Sequence, residues 1–342
     1  MRWDVGIDLG TDYVRMADFR EGAILEEAAR MAFRDGSDMP VSCGDEAARI
    51  EGRACANVQV HQPLRDGVLE SNFYADRMFR WLYSHMDFVS RKKRFGAMIS
   101  CAPFARPVQQ EALMTSAMDA GASEAALVRA DTAAAIGAGL DLSAPEGKLL
   151  LDIGAGKITC TLFTLGRVAA FGYVPYGMNR IDERIRRIIR SEKGYRIGSR
   201  SAREIKNTLG TALPQNAPSD IIMHMTGFGM ESRMPEAFDV ETAPVLHACE
   251  EVVGEIAEMC VHVVSQAPEE LSADLNDAGV VLVGGGAEMP DMDKRIGDTL
   301  GIPCRIADAP GKCVVRGLYE IMRSPEKYEA AFMAGTKESA RR

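Results

Sequence analysis

The sequence predicts an α/β chain made of two related halves, and three observations carry that expectation. An apolar strand ending in Asp-(Leu/Ile)-Gly occurs twice, with its aspartates at Asp8 and Asp152, about 144 residues apart. Strands alternate with helices along the chain, as in layered α/β proteins. A length of 342 residues also suits two domains better than one.

The first copy, "WDVGIDLGTDYVRMADF" at residues 3–19, reads as a hairpin: an apolar strand runs to Asp8, Gly10-Thr11 turns the chain, and Val14, Met16 and Phe19 continue it. The second copy, "GKLLLDIGAGKITCTLFTLGRVAAFGYV" at 147–174, repeats that plan. Between them, "VQQEALMTSAMDAG" (108–121) reads as a helix ended by Gly121. "TAAAIGAGL" (132–140) reads as a small-residue helix packed closely against a neighbour. Beyond the second copy, Ile181, Ile185, Ile188 and Ile189 have helical spacing with arginines on the other face, and "SAREIKNTLG" (201–210) is a second short helix. In "APVLHACEEVVGEIAEMCVHVVSQAP" (243–268), Val252, Val253, Ile256, Met259, Cys260, Val263 and Val264 form the core-facing stripe of a long amphipathic helix.

Composition narrows the function classes. A net charge of -9 argues against a general nucleic-acid binder, and Arg91-Lys92-Lys93-Arg94 is a local exception. Eight cysteines without a C-x-x-C pair sit mostly in apolar stretches, as reduced thiols and not as zinc ligands. No apolar run approaches the ~18 residues of a membrane span, and the first residues lack the pattern of a signal peptide, so the expected location is the cytoplasm.

A strand ending in an aspartate and a glycine turn offers backbone N–H groups to phosphate oxygens and a carboxylate to hydrated Mg²⁺. The run Gly284-Gly285-Gly286 in "VLVGGGAEMPDMD" (281–293) lets backbone approach a ligand without a Cβ in the way. A single glycine cluster of this kind is weak evidence, because tight turns after strands use glycine for steric reasons alone. The set is more specific. "GIDLGT", "PLRDGV" (63–68), "TAAAIGAGL", "LLLDIGAG", "SAREIKNTLG" and "VLVGGGAEMPDMD" stand in the order and spacing of the MreB family of bacterial actins, which the chain resembles from residue 4 to about 320.

That resemblance implies an actin-like fold: two ribonuclease H-like lobes around a nucleotide cleft, each with a smaller subdomain. By it, lobe I spans 1–142 with a small subdomain at about 28–62, and lobe II spans 143–342 with one at about 180–243. It implies ATP or ADP held by Asp8, Gly10, Thr11, Asp152, Gly154, Gly156, Lys157, Lys206 and Gly284–Gly286, with Mg²⁺ bound through water by Asp8 and Asp152.

The chain departs from the family at that ligand. The family reads Glu-Glu-Pro-Met-Ala-Ala-Ala before the Ala-rich helix, its second Glu positioning the attacking water; here the segment is Arg129-Ala130-Asp131-Thr132-Ala133. Alanine occupies the catalytic position, and Asp131 is a candidate substitute displaced by one residue, so whether the chain is an ATPase is left open. A base must lie within hydrogen-bond reach of its proton, and losing one commonly costs about 10²–10⁴ in rate. The second turn reads Asp152-Ile153-Gly154-Ala155-Gly156-Lys157 where the family has Asp-Ile-Gly-Gly-Gly-Thr. Lys157 either pairs with phosphate or occupies the room of Mg²⁺. Gly177-Met178-Asn179 replaces Gly-Gly-Asp, and Arg203-Glu204-Ile205-Lys206 replaces Glu-Arg-Ile-Lys in the helix that contacts ribose, with Lys206 retained.

For partners, the resemblance implies filament self-association or copolymerisation with a genuine MreB, cell-wall synthesis proteins, and the anionic inner face of the cell membrane. Phe88, Val89 and Phe95 around Arg91, Lys92, Lys93 and Arg94 form either an inserting loop or a solvated one flanked by core residues; Trp3 is either a second anchor or a cap on the first strand. Met114 and Met118 are candidates for a filament contact. Three functions compete: a polymerising cytoskeletal subunit with ATP as conformational ligand, a nucleotide-free scaffold or regulator, and a small-molecule kinase of the same superfold. The kinase reading lacks an acceptor-activating aspartate beside a sugar motif.

Overall fold

A computed structural model describes residues 3–20, 22, 24–53, 57–85, 94–217, 221–333 and 337–338. The chain divides into two compact units: unit 1 comprises Met1–Pro145, Thr164–Arg167 and Ala307–Arg342, and unit 2 comprises Glu146–Phe163 and Val168–Ile306. The sequence reading places residues 143–342 in the second half. From Ala307 onward the chain instead clusters with unit 1.

Unit 1 contains β1 (Val5–Leu9), β2 (Tyr13–Asp18), β3 (Ile24–Ala28), β4 (Met31–Arg34), β5 (Pro40–Cys43), α1 (Gly44–Ile50), β6 (Val58–His61), β7 (Leu64–Arg65), β8 (Val68–Leu69), α2 (Asn72–Ser84), β9 (Gly96–Cys101), α3 (Pro107–Asp119), β10 (Glu124–Arg129) and α4 (Ala130–Gly137). Unit 2 contains β11 (Lys148–Ile153), β12 (Ile158–Thr164), β13 (Arg167–Val174), α5 (Asn179–Ile188), β14 (Tyr195–Arg196), α6 (Ser199–Leu209), β15 (Ile222–Gly229), β16 (Pro235–Glu241), α7 (Thr242–Ser265), α8 (Glu269–Ala278), β17 (Val280–Val283), α9 (Met292–Leu300) and β18 (Cys304–Ile306). The last helix and strand, α10 (Cys313–Arg323) and β19 (Lys337–Glu338), belong to unit 1.

Both main sheets follow one plan. In unit 1 the order is β19-β10-β9-β1-β2-β3, and in unit 2 it is β13-β12-β11-β17-β18. In each, the first strand pairs antiparallel with the next, then parallel with a strand that arrives after a long crossover (β1 with β9, β11 with β17), and a further parallel strand follows. The central strand β11 is apolar almost throughout because it is covered on both faces, as parallel strands generally are. Small three-stranded sheets, β5-β4-β6 and β14-β15-β16, accompany the main ones.

Helix packing follows the sequence pattern. Along α7, Val252, Val253, Ile256, Cys260 and Val263 are buried, while Met259 and Val264 pack on the same core at its margin. Burying each such aliphatic side chain contributes about 1.5–3 kcal/mol. The small-residue helix α4 lies backbone to backbone against α10: a Cβ added at Gly137 would sit 1.8 Å from the Cys313 carbonyl oxygen, and one at Gly317 would sit 1.7 Å from that of Ala133. Only glycine at both positions permits this approach. The seven described cysteines are free, and burial pushes the Cys43 and Cys249 thiols up to about 12.

Several surface expectations need correction. Phe95 is 6% exposed and meets Tyr83 edge-on at 4.8 Å, so it belongs to the unit 1 core and not to a membrane loop. Trp3, 4% exposed, packs beside Phe332 at 6.4 Å and is no anchor. Met114 is likewise core, and Met118 is partly buried against it. Arg94 is exposed. Phe88, Val89, Arg91, Lys92 and Lys93 lie outside the described residues. No described helix is long and apolar enough to cross a membrane.

Candidate functional site

The duplicated hairpins match residue for residue. In β1–β2, Asp8 pairs with Arg15 and Leu9 with Val14; in β11–β12, Asp152 pairs with Thr159 and Ile153 with Ile158. Each turn closes with the same hydrogen bond, the Gly10 N–H donating to the Tyr13 carbonyl at 3.0 Å and the Gly154 N–H to the Lys157 carbonyl at 2.9 Å. A Cβ would meet those carbonyl oxygens at 2.6 and 2.8 Å, so the turns themselves demand glycine. Each aspartate thereby stands at the carboxyl end of a strand within a parallel group, where open α/β sheets place their ligands.

In unit 1, the Asp8 carboxylate accepts a hydrogen bond from the Ser100 hydroxyl at 2.8 Å and faces the Arg15 guanidinium at 3.9 Å. Thr11 accepts from the Gly67 N–H through its hydroxyl at 3.4 Å, within the "PLRDGV" segment. Arg30 braces the turn from behind, donating to the Thr11 carbonyl and to the carboxylates of Asp12 and Glu51. Asp131 stands where β10 passes into α4, two strands from Asp8 in the sheet. Its carboxylate has no solvent exposure, pairs with Arg129 at 2.6 Å, and accepts from the Thr132 N–H at 2.8 Å. In this geometry it tethers the start of α4. Ala130 beside it is buried.

In unit 2, the sequence-derived residues form one contiguous cluster. The loop Gly177–Asn179 docks on the second turn, with Met178 N–H donating to the Gly154 carbonyl and Asn179 N–H to that of Ala155, each at 3.0 Å. Lys206 donates to the Met178 carbonyl at 3.3 Å and pairs with the buried Asp182 at 2.8 Å, while Arg203 reaches Asp182 and the Asn179 side chain. The three glycines after β17 divide in role. A Cβ on Gly284 would meet the Ile153 carbonyl oxygen at 2.4 Å, and one on Gly286 would meet the Ile153 and Met178 side chains at 2.4 and 2.6 Å. Gly285 is exposed with nothing within 4 Å of its Cβ position, which leaves its backbone open to a ligand.

Lys157 is the unusual group. Its ammonium is inaccessible to solvent and makes no hydrogen bond, and the Asp152 carboxylate lies 3.6 Å away. This arrangement suits an incoming phosphate, which brings acceptor oxygens. The ammonium also competes with Mg²⁺ for Asp152, since like unit charges about 4 Å apart repel by about 4 kcal/mol at an effective dielectric of about 20. Asp8, too, already faces a cation, the Arg15 guanidinium.

Ser100, Arg15, Arg30 and Asp182 were not singled out in the sequence. Ser100 is a buried hydroxyl in the otherwise apolar "GAMISCA", and Asp182 is an acid beside the buried isoleucines of α5; polar residues at core positions were the available signal.

Two repeated sheets with matched aspartate hairpins define an actin-like α/β protein. Solved structures agree: MreB5 of Spiroplasma citri bound to AMPPNP superimposes with a TM-score of 0.88 at 24% identity over 96% of this chain and 98% of that one, and the MamK double helical filament with 0.75 at 18% identity over 94% and 98%. The chain belongs to the MreB/Mbl family, whose model matches residues 2–330. It is 31% identical to the cell shape-determining protein MreB of Escherichia coli K12 over 319 residues, 92% of this chain and 91% of that one. It is 29% identical to the cell shape-determining protein Mbl of Bacillus subtilis 168 over 324 residues, 95% and 97% of the two chains.

Proposed function

We propose that the protein is a cytoskeletal subunit that polymerises at the inner membrane face to direct cell shape and wall synthesis, with ATP or ADP as a conformational ligand and little hydrolysis. The observation that carries this reading is the repetition of one aspartate-glycine hairpin, in one register, in both units of a chain from a cell shape-determining family. On this reading Lys157 and the turn backbones take phosphates and Gly285 the adenosine. The relatives' association with AMPPNP, ADP and a double helical filament supports the same reading.

Hydrolysis is weak on this reading because Ala130 offers no carboxylate and Asp131 is committed to Arg129 and Thr132. The same observation favours a second reading, a scaffold or regulator that copolymerises with a genuine MreB and uses no nucleotide. Ultracentrifugation separates them: ATP should move the purified chain into the pellet above a critical concentration. Pelleting that needs an added MreB and ignores ATP would support the scaffold. Vesicles containing phosphatidylglycerol should float with the chain, and charge reversal across Arg91–Arg94 should abolish flotation, each cation contributing about 1 kcal/mol near an anionic surface.

A further inference from the structure

We infer that Lys157 is a built-in counter-ion, taking a nucleotide phosphate directly so that binding at the Asp152 hairpin does not require a divalent metal. This deepens the nucleotide reading above and rests on it.

Two observations in unit 2 carry the inference. An ammonium has three donors, and that of Lys157 uses none of them although it is shielded from solvent. Buried polar groups without partners are rare enough to require an explanation. The Thr159 hydroxyl, directly across the hairpin from Asp152, is also buried without a partner. The ammonium beside this carboxylate therefore keeps three unused N–H donors, which an anion's oxygens would complete and a hydrated cation would not.

The paired hairpin sharpens the point. Opposite Asp8 the first unit places Arg15, whose Nε is committed to Glu26 at 2.6 Å. Opposite Asp152 stands uncharged Thr159, and the cation arrives from the turn, at the position that Tyr13 holds in the first hairpin. At 3.6 Å, Asp152 is near enough to fix the ammonium electrostatically while its protons stay available. In that role Asp152 positions Lys157 and is not a metal ligand.

Titration of the full chain with ATP, in EDTA and separately in excess Mg²⁺, tests this. The wild type should bind equally well, to within about threefold, in both buffers. Lys157→Thr should lose at least about tenfold in EDTA, the lower end for a charged hydrogen bond, and regain affinity with Mg²⁺. Lys157→Arg, which keeps the charge, should retain binding in EDTA, and matched thermal melts show that each variant is folded. Wild-type binding that collapses in EDTA but saturates with Mg²⁺ would overturn the inference and leave the nucleotide reading intact. No binding in either buffer would overturn the nucleotide reading itself.

Discussion

Gly317→Val is expected to unfold the protein under conditions in which the wild type is stable. The added Cβ would lie 1.7 Å from the Ala133 carbonyl oxygen, so α10 and α4 must move apart along a contact made by backbone and not by adjustable side chains. Overpacking usually costs about 1–3 kcal/mol when side chains can shift, and a backbone clash belongs to the upper end or beyond. The helix concerned is central: α10 also covers β1, and a Cβ on Gly6 would already touch Leu318 at 3.0 Å. For a unit of this size, about 3 kcal/mol corresponds to a fall in Tm of roughly 6–12 °C. Gly137→Val should behave alike, since its Cβ would meet the Cys313 oxygen at 1.8 Å. A melt within about 2 °C of wild type for both would show that the helices do not pack as described.

Ala130→Glu combined with Lys157→Thr should raise phosphate release from ATP in Mg²⁺-containing buffer by about 10²-fold or more, the usual contribution of a positioned general base. One substitution supplies a carboxylate where β10 passes into α4; the other relieves Asp152 of its cationic neighbour at 3.6 Å. Neither alone should suffice, because each addresses a different deficiency. Asp131 cannot substitute while Arg129 and the Thr132 N–H occupy its carboxylate. An unchanged rate in the folded double variant would show that Ala130 and Lys157 do not account for slow hydrolysis.

The hairpins were legible in the sequence because an apolar strand, an aspartate and a glycine turn leave little freedom in register. The Ala-rich helix was legible as a tight packer, although its neighbour was not: α10 lies about 180 residues further on, and nothing local marks the return of the chain to β10, where Phe332 bridges Val128. The glycine run after β17 was only half legible. Its first and third members serve contact with β11, and a sequence cannot distinguish a glycine facing its own sheet from one facing a ligand. For Phe95 and Trp3 the sequence left a membrane contact and a core or capping role both open, because apolar residues near cations or a chain end fit either; each fills a core position. Lys157 was visible as a substitution, but its meaning depended on a distance to Asp152 and on the absence of hydrogen bonds.

The most direct measurement is calorimetric titration of ATP into the wild type, Gly10→Val and Gly154→Val. A Cβ at either glycine would press on its own turn, at 2.6 Å from the Tyr13 oxygen or 2.8 Å from the Lys157 oxygen. If nucleotide binding depends on each hairpin, the wild type binds ATP and each substitution abolishes binding. A folded variant of either hairpin that binds as the wild type does would contradict that dependence.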